Sequence, residues 1–166
     1  MSLIIEKLSK NHNKSDFDCE NELLNNYIRK QAKQDVNRDL SACYILNDRI
    51  DKRVLGYYTL SGNSIDRNEF PNELIQKMPP SYYNLPTILL GRLAIDKNEK
   101  GKGYGSILLM DALKRCVEIS DSLGVLAVVV DPYDEKAISF YKKYGFILIP
   151  SNNKMFIPIK TIQDFS

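Results

Sequence analysis

Hydrophobic residues recur with two spacings along the chain, and each spacing predicts a different kind of element. Short runs in which apolar residues alternate or follow one another are typical of β-strands. Such runs are found at Leu3–Leu8, Leu40–Leu46, Val54–Leu60, Ile88–Ile95, Val125–Val130, Phe146–Ile149 and Met155–Ile159. The second and third runs flank the polar segment Asn47–Lys52 and therefore predict a β-hairpin.

Apolar residues three and four positions apart predict helices between these strands. This spacing is found in segments 20–38, 70–78, 106–123 and 134–144. In the first segment, the apolar stripe is formed by Leu23, Leu24, Tyr27 and Ile28. Asp134 is expected to cap the last helix, because aspartate is a strong N-cap residue. Gly124 and Gly145 are expected to end the third and fourth helices, because glycine readily adopts the left-handed C-cap conformation.

The fourth strand leads into a glycine-rich turn, and a helical pattern follows at once. After Asp96 ends the strand, glycines stand at the alternate positions Gly101, Gly103 and Gly105. Glycine lets backbone N–H groups approach an anion, and the helix dipole favours negative charge at the N-terminus. The turn therefore predicts a phosphate site, although a plain surface turn would explain the same glycines. Its spacing matches neither the kinase-type P-loop nor the dinucleotide fingerprint.

Composition narrows the class of protein. With 166 residues, 27% charged and 43% apolar, the chain predicts one domain over residues 1–166. No run approaches the ~20 apolar residues of a membrane span, and no signal-peptide pattern opens the chain. Cys19, Cys43 and Cys116 are odd in number, which favours free thiols and a reducing cytoplasm. No His, Cys and Asp cluster has metal-ligand spacing, so no metal is expected.

The net charge of +2 is small, so nucleic-acid binding would depend on local clusters of basic residues. One cluster lies on the polar face of the first helix, at Arg29, Lys30 and Lys33, with Arg38 just beyond. A solvated helix face and a patch that contacts phosphates are both compatible with it. The only histidine, His12, lies in a polar segment and is expected to be a solvated loop residue rather than a catalytic base.

Two motifs together carry a resemblance to a known family. Gly101-Lys-Gly-Tyr-Gly follows a strand, and Ala137-Ile-Ser-Phe-Tyr-Lys-Lys-Tyr-Gly-Phe146 follows later. This pair resembles the GNAT family of N-acetyltransferases over essentially the whole chain. The resemblance implies an α/β fold with a mixed, twisted central sheet and helices on both faces. It also implies that the first motif holds the pyrophosphate and pantetheine arm of acetyl-CoA, through Lys100, Gly101, Lys102, Gly103, Tyr104, Gly105 and Ser106.

A narrower likeness concerns four further segments. These are Phe17-Asp-Cys, Gly56-Tyr-Tyr-Thr-Leu-Ser61, Leu90-Gly-Arg-Leu-Ala-Ile-Asp96 and Asp111-Ala-Leu-Lys-Arg115. They are similar to the acetyltransferase toxins of bacterial toxin–antitoxin modules, the TacT type. That likeness implies a cytoplasmic enzyme that acetylates the amino group of aminoacyl-tRNA, and a ribbon-helix-helix antitoxin as its partner. A homodimer is compatible with it.

Acetyl transfer from a thioester needs a neutral amine, stabilisation of a developing oxyanion, and a proton for the departing thiolate. The backbone N–H groups of Leu93, Ala94 and Ile95 are predicted to hold the thioester carbonyl. Tyr141 matches the family's tyrosine acid, and a phenol can protonate a thiolate. Core packing beside Phe140 and Tyr144 is the alternative role for Tyr141. An α-amino group is partly neutral near neutral pH, so water can act as the base, with Asp131 and Asp134 as further options.

The acceptor is predicted to meet basic and aromatic side chains. Arg92 stands inside an apolar strand, where an unpaired guanidinium is unfavourable, so it is predicted to line the substrate or cofactor cleft. A paired or edge-facing arginine is the alternative. Lys142, beside Tyr141, is predicted to contact tRNA phosphates together with Arg29, Lys30 and Lys33. The tyrosines that could stack on the terminal adenine, or simply pack in the core, are Tyr57, Tyr58, Tyr82 and Tyr83.

Two other functions remain open at this point. One is acetylation of a small amine, such as a polyamine or an aminoglycoside, which would favour an acidic cleft over a basic helix. The other is a degenerate acyl-CoA-binding regulatory module. Retention of Tyr141 and of all three turn glycines favours an enzyme over a binding module.

Overall fold

The computed structural model describes residues 1–165. Its strands are β1 (Leu3–Lys7), β2 (Ala42–Asp48), β3 (Val54–Asp66), β4 (Asn84–Ile95), β5 (Ala127–Val130), β6 (Ile147–Leu148) and β7 (Met155–Pro158). They form one seven-stranded sheet in the order β1-β2-β3-β4-β5-β7-β6. Strands β4 and β5 are parallel, whereas β1–β2, β2–β3, β5–β7 and β6–β7 are antiparallel pairs. The predicted α/β fold with a mixed sheet is therefore confirmed, including the β2–β3 hairpin.

Helices separate the strands much as the apolar spacing predicts. They are α1 (Glu22–Asn26), α2 (Ala32–Asn37), α3 (Asn72–Ile75), α4 (Tyr104–Ser120), α5 (Glu135–Lys143) and α6 (Ile159–Gln163). Short 3-10 turns lie at Arg67–Glu69 and Lys97–Glu99. Helix α6 was not expected from the sequence. Within residues 1–165, none of the helices has both the length and the apolar character that crossing a membrane requires.

The prediction for the first helix is wrong in one respect. A π-helical turn, Tyr27–Gln31, joins α1 to α2, and the Ala32 N–H bonds the Tyr27 carbonyl across it. A π-turn changes the helical phase, so residues before and after it do not share one stripe. Tyr27 and Ile28 are buried as predicted, but Leu23 is 82% exposed.

The two predicted glycine caps have different outcomes. Gly145 follows α5 with a φ of 96°, in the left-handed region, and confirms the predicted stop. Helix α4 instead ends at Ser120, and Gly124 is not among the residues with positive φ. The prediction that Gly124 caps α4 is therefore wrong.

The chain forms two compact units. The first comprises Met1–Ser61 and Gly91–Ala112. Its core gathers side chains from the loop before α1, the π-turn, α2, β2, β3 and β4, namely Phe17, Tyr27, Ile28, Ala32, Cys43, Ile45, Val54, Tyr57 and Ala94. The Phe17 and Tyr57 rings meet edge to face at 5.6 Å, a geometry that adds about 0.5–1.5 kcal/mol to simple burial.

The second unit comprises Gly62–Leu90 and the chain from Leu113 onward. Its core contains Ile65, Phe70, Leu85, Ala127, Val129, Ile149 and Phe156. The guanidinium of Arg67 donates hydrogen bonds to the carbonyls of Ile75, Pro79 and Tyr82, which fixes the loop before β4.

The three cysteines of the chain are all free thiols, and Cys43 and Cys116 are buried.

Candidate active site

The glycine turn of the first unit has the backbone geometry of an anion cradle. Gly101 and Gly103 have φ values of 82° and 81°, in the region that side chains rarely adopt. A Cβ placed on either residue would meet nothing within 4 Å, so the space beside the backbone is open. Helix α4 begins at Tyr104, and the N–H groups of a first helical turn have no partner inside the helix. The turn can therefore offer several amides to a pyrophosphate.

The lysines of this turn are engaged with carboxylates of the protein. The Lys102 Nζ lies 2.6 Å from Glu99 Oε2, and the Lys100 Nζ lies 3.2 Å from Glu20 Oε1. Both lysine side chains are about half exposed. Because their charge is partly neutralised, the backbone rather than these side chains is the main feature that suits the turn to an anion.

Glu99 holds the turn and was missed by sequence reasoning. Its side chain is only 4% exposed and receives hydrogen bonds from Lys102 and, at 2.9 Å, from Arg53. Those bonds lower the pKa of the Glu99 carboxyl, with the bond from Lys102 contributing most. In the sequence, Glu99 stands between Lys97 and Lys100, a pattern typical of an exposed charged turn. The pattern therefore did not indicate that Glu99 would be buried and would hold the turn.

A second set of contacts fixes the end of β4. Asp96 caps the 3-10 turn by accepting the Asn98 N–H, and its other oxygen accepts the Asp18 N–H at 3.0 Å. The Asp18 carboxylate in turn accepts the Glu20 N–H, the Asn25 amide and the Lys97 ammonium. These bonds, the Glu20 N–H first, lower the pKa of Asp18 to about 2.

The backbone N–H groups predicted to stabilise the oxyanion lie outside the part of β4 that pairs with β5. In that part, Thr87, Ile88 and Leu89 pair with residues of β5, whereas β4 continues through Leu93 and Ala94 to Ile95. At Gly56 of β3, a Cβ would lie 2.8 Å from Ile95 Cδ1 and 2.9 Å from the Ala94 carbonyl oxygen. Glycine at position 56 therefore lets β4 approach closely, and the position of the segment is tightly fixed.

Tyr141 lies in α5, in the second unit. Asp134 caps the helix, since its Oδ1 accepts the Ala137 N–H at 2.7 Å, as predicted. The Tyr141 ring is buried between Phe140 and Phe146, whose centroids lie 5.3 and 5.1 Å away. The packing interpretation therefore holds for the ring.

The surroundings of the Tyr141 hydroxyl differ from those of its ring. It forms no hydrogen bond with any group of residues 1–165. Burial, and to a lesser degree Tyr133, raises the pKa of Tyr141 well above its usual range. The phenol is therefore protonated at neutral pH and has a proton without an internal acceptor, as a general acid requires.

The residues of the predicted basic cluster differ in their exposure to solvent. Lys30 and Lys33 are exposed, whereas Arg29 is half-buried and donates a hydrogen bond to the Phe17 carbonyl. Lys142 is exposed on α5 of the second unit. Lys30, Lys33 and Arg38 are thus exposed to solvent, whereas Arg29 is not.

Arg92 is neither paired with a carboxylate nor left at a sheet edge. Its guanidinium carbon lies 3.5 Å from the centroid of the Tyr27 ring, a cation–π contact. The Tyr27 hydroxyl donates to Asp35 Oδ2 at 2.8 Å, which holds the ring in place.

The structure corrects the expectations for two tyrosines and for the histidine. Tyr57 and Tyr58 are both fully buried and cannot stack on a base, whereas Tyr82 and Tyr83 are exposed. His12 is 6% exposed rather than solvated: its Nδ1 accepts the Ser9 N–H, and its Nε2 lies 3.2 Å from Glu6. No group of three or more His, Cys, Asp or Glu side chains in residues 1–165 is arranged to hold a metal ion.

Comparisons with known proteins place these features in a family. The tRNA-acetylating toxin of Mycobacterium tuberculosis is 36% identical over 129 residues, which are 78% of this chain and 75% of that protein. The structure of AtaT complexed with acetyl-methionyl-tRNAfMet matches with a TM-score of 0.91 and 33% identity, covering 98% of both chains. The structure of AtaTR bound with AcCoA matches with a TM-score of 0.86 and 35% identity, covering 98% of this chain and 96% of that chain.

The family profile agrees with the two sequence motifs and with the fold. The Acetyltransferase (GNAT) family matches residues 4–146, a range that includes both the glycine turn and Tyr141. A match over most of the chain, with a mixed sheet and a glycine turn that opens α4, shows that this chain belongs to the GNAT family of acetyltransferases.

Proposed function

We propose that this protein transfers the acetyl group of acetyl-CoA to the α-amino group of an aminoacyl-tRNA and thereby blocks translation. The observation that carries the proposal is the likeness, over 98% of both chains, to AtaT solved with acetyl-methionyl-tRNAfMet. The tRNA-acetylating toxin of Mycobacterium tuberculosis supports it independently at the level of sequence. The open glycine turn and the unbonded Tyr141 hydroxyl are the features of this chain that suit the chemistry.

Acetyl-CoA would supply the acetyl group as an activated thioester. The amides of Gly101 to Gly105, with the N-terminus of α4, would bind its pyrophosphate, and Ser106 lies in the same first turn. The backbone N–H groups among Leu93, Ala94 and Ile95 would hold the thioester carbonyl, where an N–H favours developing negative charge. Lys100 and Lys102 would mainly position the turn through Glu20 and Glu99.

Tyr141 Oη would supply the proton that the reaction requires. As the amide C–N bond forms and the C–S bond breaks, the sulfur leaves as a thiolate and needs a proton. The raised pKa of Tyr141 keeps that proton on Oη until a strong acceptor is next to it. The attacking α-amine loses its own proton to water, because such amines are partly neutral near pH 7 to 8, about their usual pKa.

The acceptor would be recognised mainly through its phosphates. Lys30 and Lys33 are exposed and lie within one turn of each other, so both can approach a phosphate backbone. Lys142 would add a third contact beside Tyr141. Arg29, which is bonded to the Phe17 carbonyl, would serve chiefly to hold the loop before α1. A polyamine or an aminoglycoside would be repelled by these cations.

The proposal also specifies the protein partners and the cellular compartment. The AtaT Y144F mutant toxin has been solved bound to the C-terminus of the antitoxin AtaR, and a comparable antitoxin, of the ribbon-helix-helix type, would neutralise this protein. Translation takes place in the cytoplasm, which is where the protein would act. A homodimer would present two copies of the basic helix to one tRNA.

An acceptor panel tests the proposal. The wild-type protein with acetyl-CoA is offered aminoacyl-tRNA, deacylated tRNA, spermidine and an aminoglycoside, and acetylated products are separated by mass. We expect acetylation of aminoacyl-tRNA alone, and growth arrest when the protein is expressed without a partner. Acetylation of the small amines and not of aminoacyl-tRNA would overturn the proposal.

The salt dependence of tRNA binding provides a second test. Each phosphate contact contributes roughly −0.7 to −0.9 to the slope of log affinity against log salt. Lys30→Glu with Lys33→Glu should flatten the slope by about one unit per lost contact. Lys7→Glu with Lys10→Glu makes the same change of charge at two exposed residues outside the helix and serves as the control. Equal slopes for the two double variants would remove the helix from the tRNA-binding surface.

A further inference from the structure

Arg92 differs from the paired cations of the first unit. Five of those cations form salt bridges: Arg53 and Lys102 with Glu99, Lys97 with Asp18, Lys100 with Glu20, and Lys52 with Glu6. Arg92 is half-buried, yet it forms neither a salt bridge nor a hydrogen bond with any of residues 1–165. A half-buried guanidinium without a counter-ion is available to pair with an anionic ligand.

The Tyr27 ring lies against the guanidinium and is itself held in place. The ring is 4% exposed, lies parallel to Tyr57 at 6.2 Å, and is fixed by the hydrogen bond to Asp35. Burial, then the Asp35 bond, raises the pKa of Tyr27 to about 12, so the ring is neutral and does not cancel the charge of Arg92. The N–H groups of a guanidinium lie in its own plane, where two of them can donate to two oxygens at once.

The pleat of β4 assigns Arg92 to one face of the sheet. Side chains on a strand alternate between faces, so Arg92 and Ala94 share one face and Ile95 lies on the other. Ala94 packs in the core that contains Tyr27 and Ile28 of the π-turn, whereas Ile95 and Leu108 of α4 meet at Gly56. Arg92 therefore faces away from α4, whose first turn we assign to the cofactor.

We propose that Arg92, held against the Tyr27 ring, binds the phosphodiester next to the nucleotide that carries the amino acid at the 3′ end of the acceptor RNA. This inference rests on the proposed function and specifies one contact of the acceptor. A phosphodiester presents two oxygens that match the fork of a guanidinium. Lys30 belongs to the same π-turn as Tyr27, is exposed and has the same sign of charge, so this face favours a polyanion.

Two matched acceptors isolate the phosphate. One is a trinucleotide with an amide-linked amino acid on its 3′-terminal adenosine, and the other is the same aminoacyl-adenosine without any phosphate. The wild-type protein should show kcat/KM at least about tenfold higher for the trinucleotide, the scale of one bidentate charge-assisted contact. Arg92→Gln should remove that advantage by raising KM, while kcat/KM for aminoacyl-adenosine stays within about twofold of wild type.

Two further variants keep the result interpretable. Arg92→Lys retains the charge but neither the fork nor the stacking, and should lose most of the advantage. Arg49→Gln removes one positive charge from an exposed position between β2 and β3 and should change neither acceptor. Acetyl-CoA should raise the melting temperature of every variant as it does for wild type, which shows that each is folded.

The outcomes separate this inference from the proposed function. Equal losses by Arg92→Gln on both acceptors, or no loss on either, would overturn the role in phosphate binding while aminoacyl acceptors remain substrates of the wild type. A wild-type protein that acetylates neither of these acceptors nor aminoacyl-tRNA would overturn both proposals together.

Discussion

The glycine turn and the surroundings of Tyr141 place polar groups for chemistry in opposite ways. At the turn, charged side chains are bound to one another: Glu99 holds Arg53 and Lys102, and Glu20 holds Lys100. Around Tyr141, apolar rings fix the side chain, and its hydroxyl has no partner in residues 1–165. In the first region charge maintains a backbone shape, whereas in the second apolar packing orients a single proton donor.

This difference predicts which substitutions should impair each region. A backbone anion site depends on conformation, so a substitution that changes φ or blocks the approach should damage it more than loss of a lysine charge. A buried phenol depends on one atom, so deletion of its oxygen should affect the reaction with little effect on packing. The following predictions test this contrast.

The largest effect is expected at Tyr141. Tyr141→Phe keeps the ring contacts with Phe140 and Phe146 and removes only the proton donor. Turnover should fall by roughly 10²–10⁴, the range for loss of a general acid, while affinity for acetyl-CoA is unchanged. Steady-state kinetics and calorimetric titration with acetyl-CoA measure the two quantities.

Tyr83→Phe is the matched control, because Tyr83 is an exposed tyrosine just before β4. It should retain turnover close to wild type. If Tyr141→Phe has wild-type turnover as well, the role of Tyr141 is limited to packing.

Gly103→Val should abolish cofactor binding. Valine is strained at a φ of 81°, and its side chain would fill the open space beside the turn. Acetyl-CoA raises the melting temperature of a protein that binds it only in the folded state, and this shift should vanish in the variant. Gly124→Val is the control, because Gly124 also has open space but no positive φ. A full shift in Gly103→Val would contradict the backbone cradle.

Glu99→Gln should loosen the turn without removing it. The change leaves Arg53 and Lys102 without their carboxylate, and the free energy of unfolding should fall by about 1–3 kcal/mol. Urea denaturation measures the fall, with Glu118→Gln on the exposed side of α4 as the control. Equal stability of the two variants would mean that the ion pairs do not hold the turn.

The smallest effect concerns pH and Asp18. Its pKa in the folded state is about 2, below its ordinary value of 3.8, so the deprotonated form is favoured by folding. The stabilisation is therefore complete above the ordinary value and is lost as the pH falls from there towards 2. Asp18→Asn should show a shallower fall of melting temperature over that window than wild type, whereas Asp16→Asn, at an exposed position, should follow wild type. Parallel curves for all three proteins would contradict the assignment.

The sequence predicted more of the fold than of the site. Alternating and apolar runs located all seven strands, although β3 continues past its predicted end at Leu60 to Asp66. Each strand must match its side chains to two faces of a sheet, which is why the pattern finds it. Glycine spacing located the turn, and Asp134 with Gly145 marked the ends of α5. These features are local in the chain, so local patterns are sufficient to find them.

Contacts between distant segments could not be predicted in this way. The burial of His12 depends on Glu6 and on the loop that carries Ser9. The pairing of Glu99 with Arg53 joins residues far apart in sequence, so no spacing rule indicates it.

The sequence by itself determined the class of fold and the glycine turn, because these depend on residue type and on short-range order, and it predicted Tyr141 as the candidate acid. Only the tertiary structure decided which polar groups are already paired and which remain available. Lys102 and Arg92 are both cations in or beside the same strand–turn segment, yet one is bound to Glu99 and the other lies unpaired on Tyr27. The physical reason is that a charge is neutralised by what surrounds it in space, and those neighbours come from other parts of the chain.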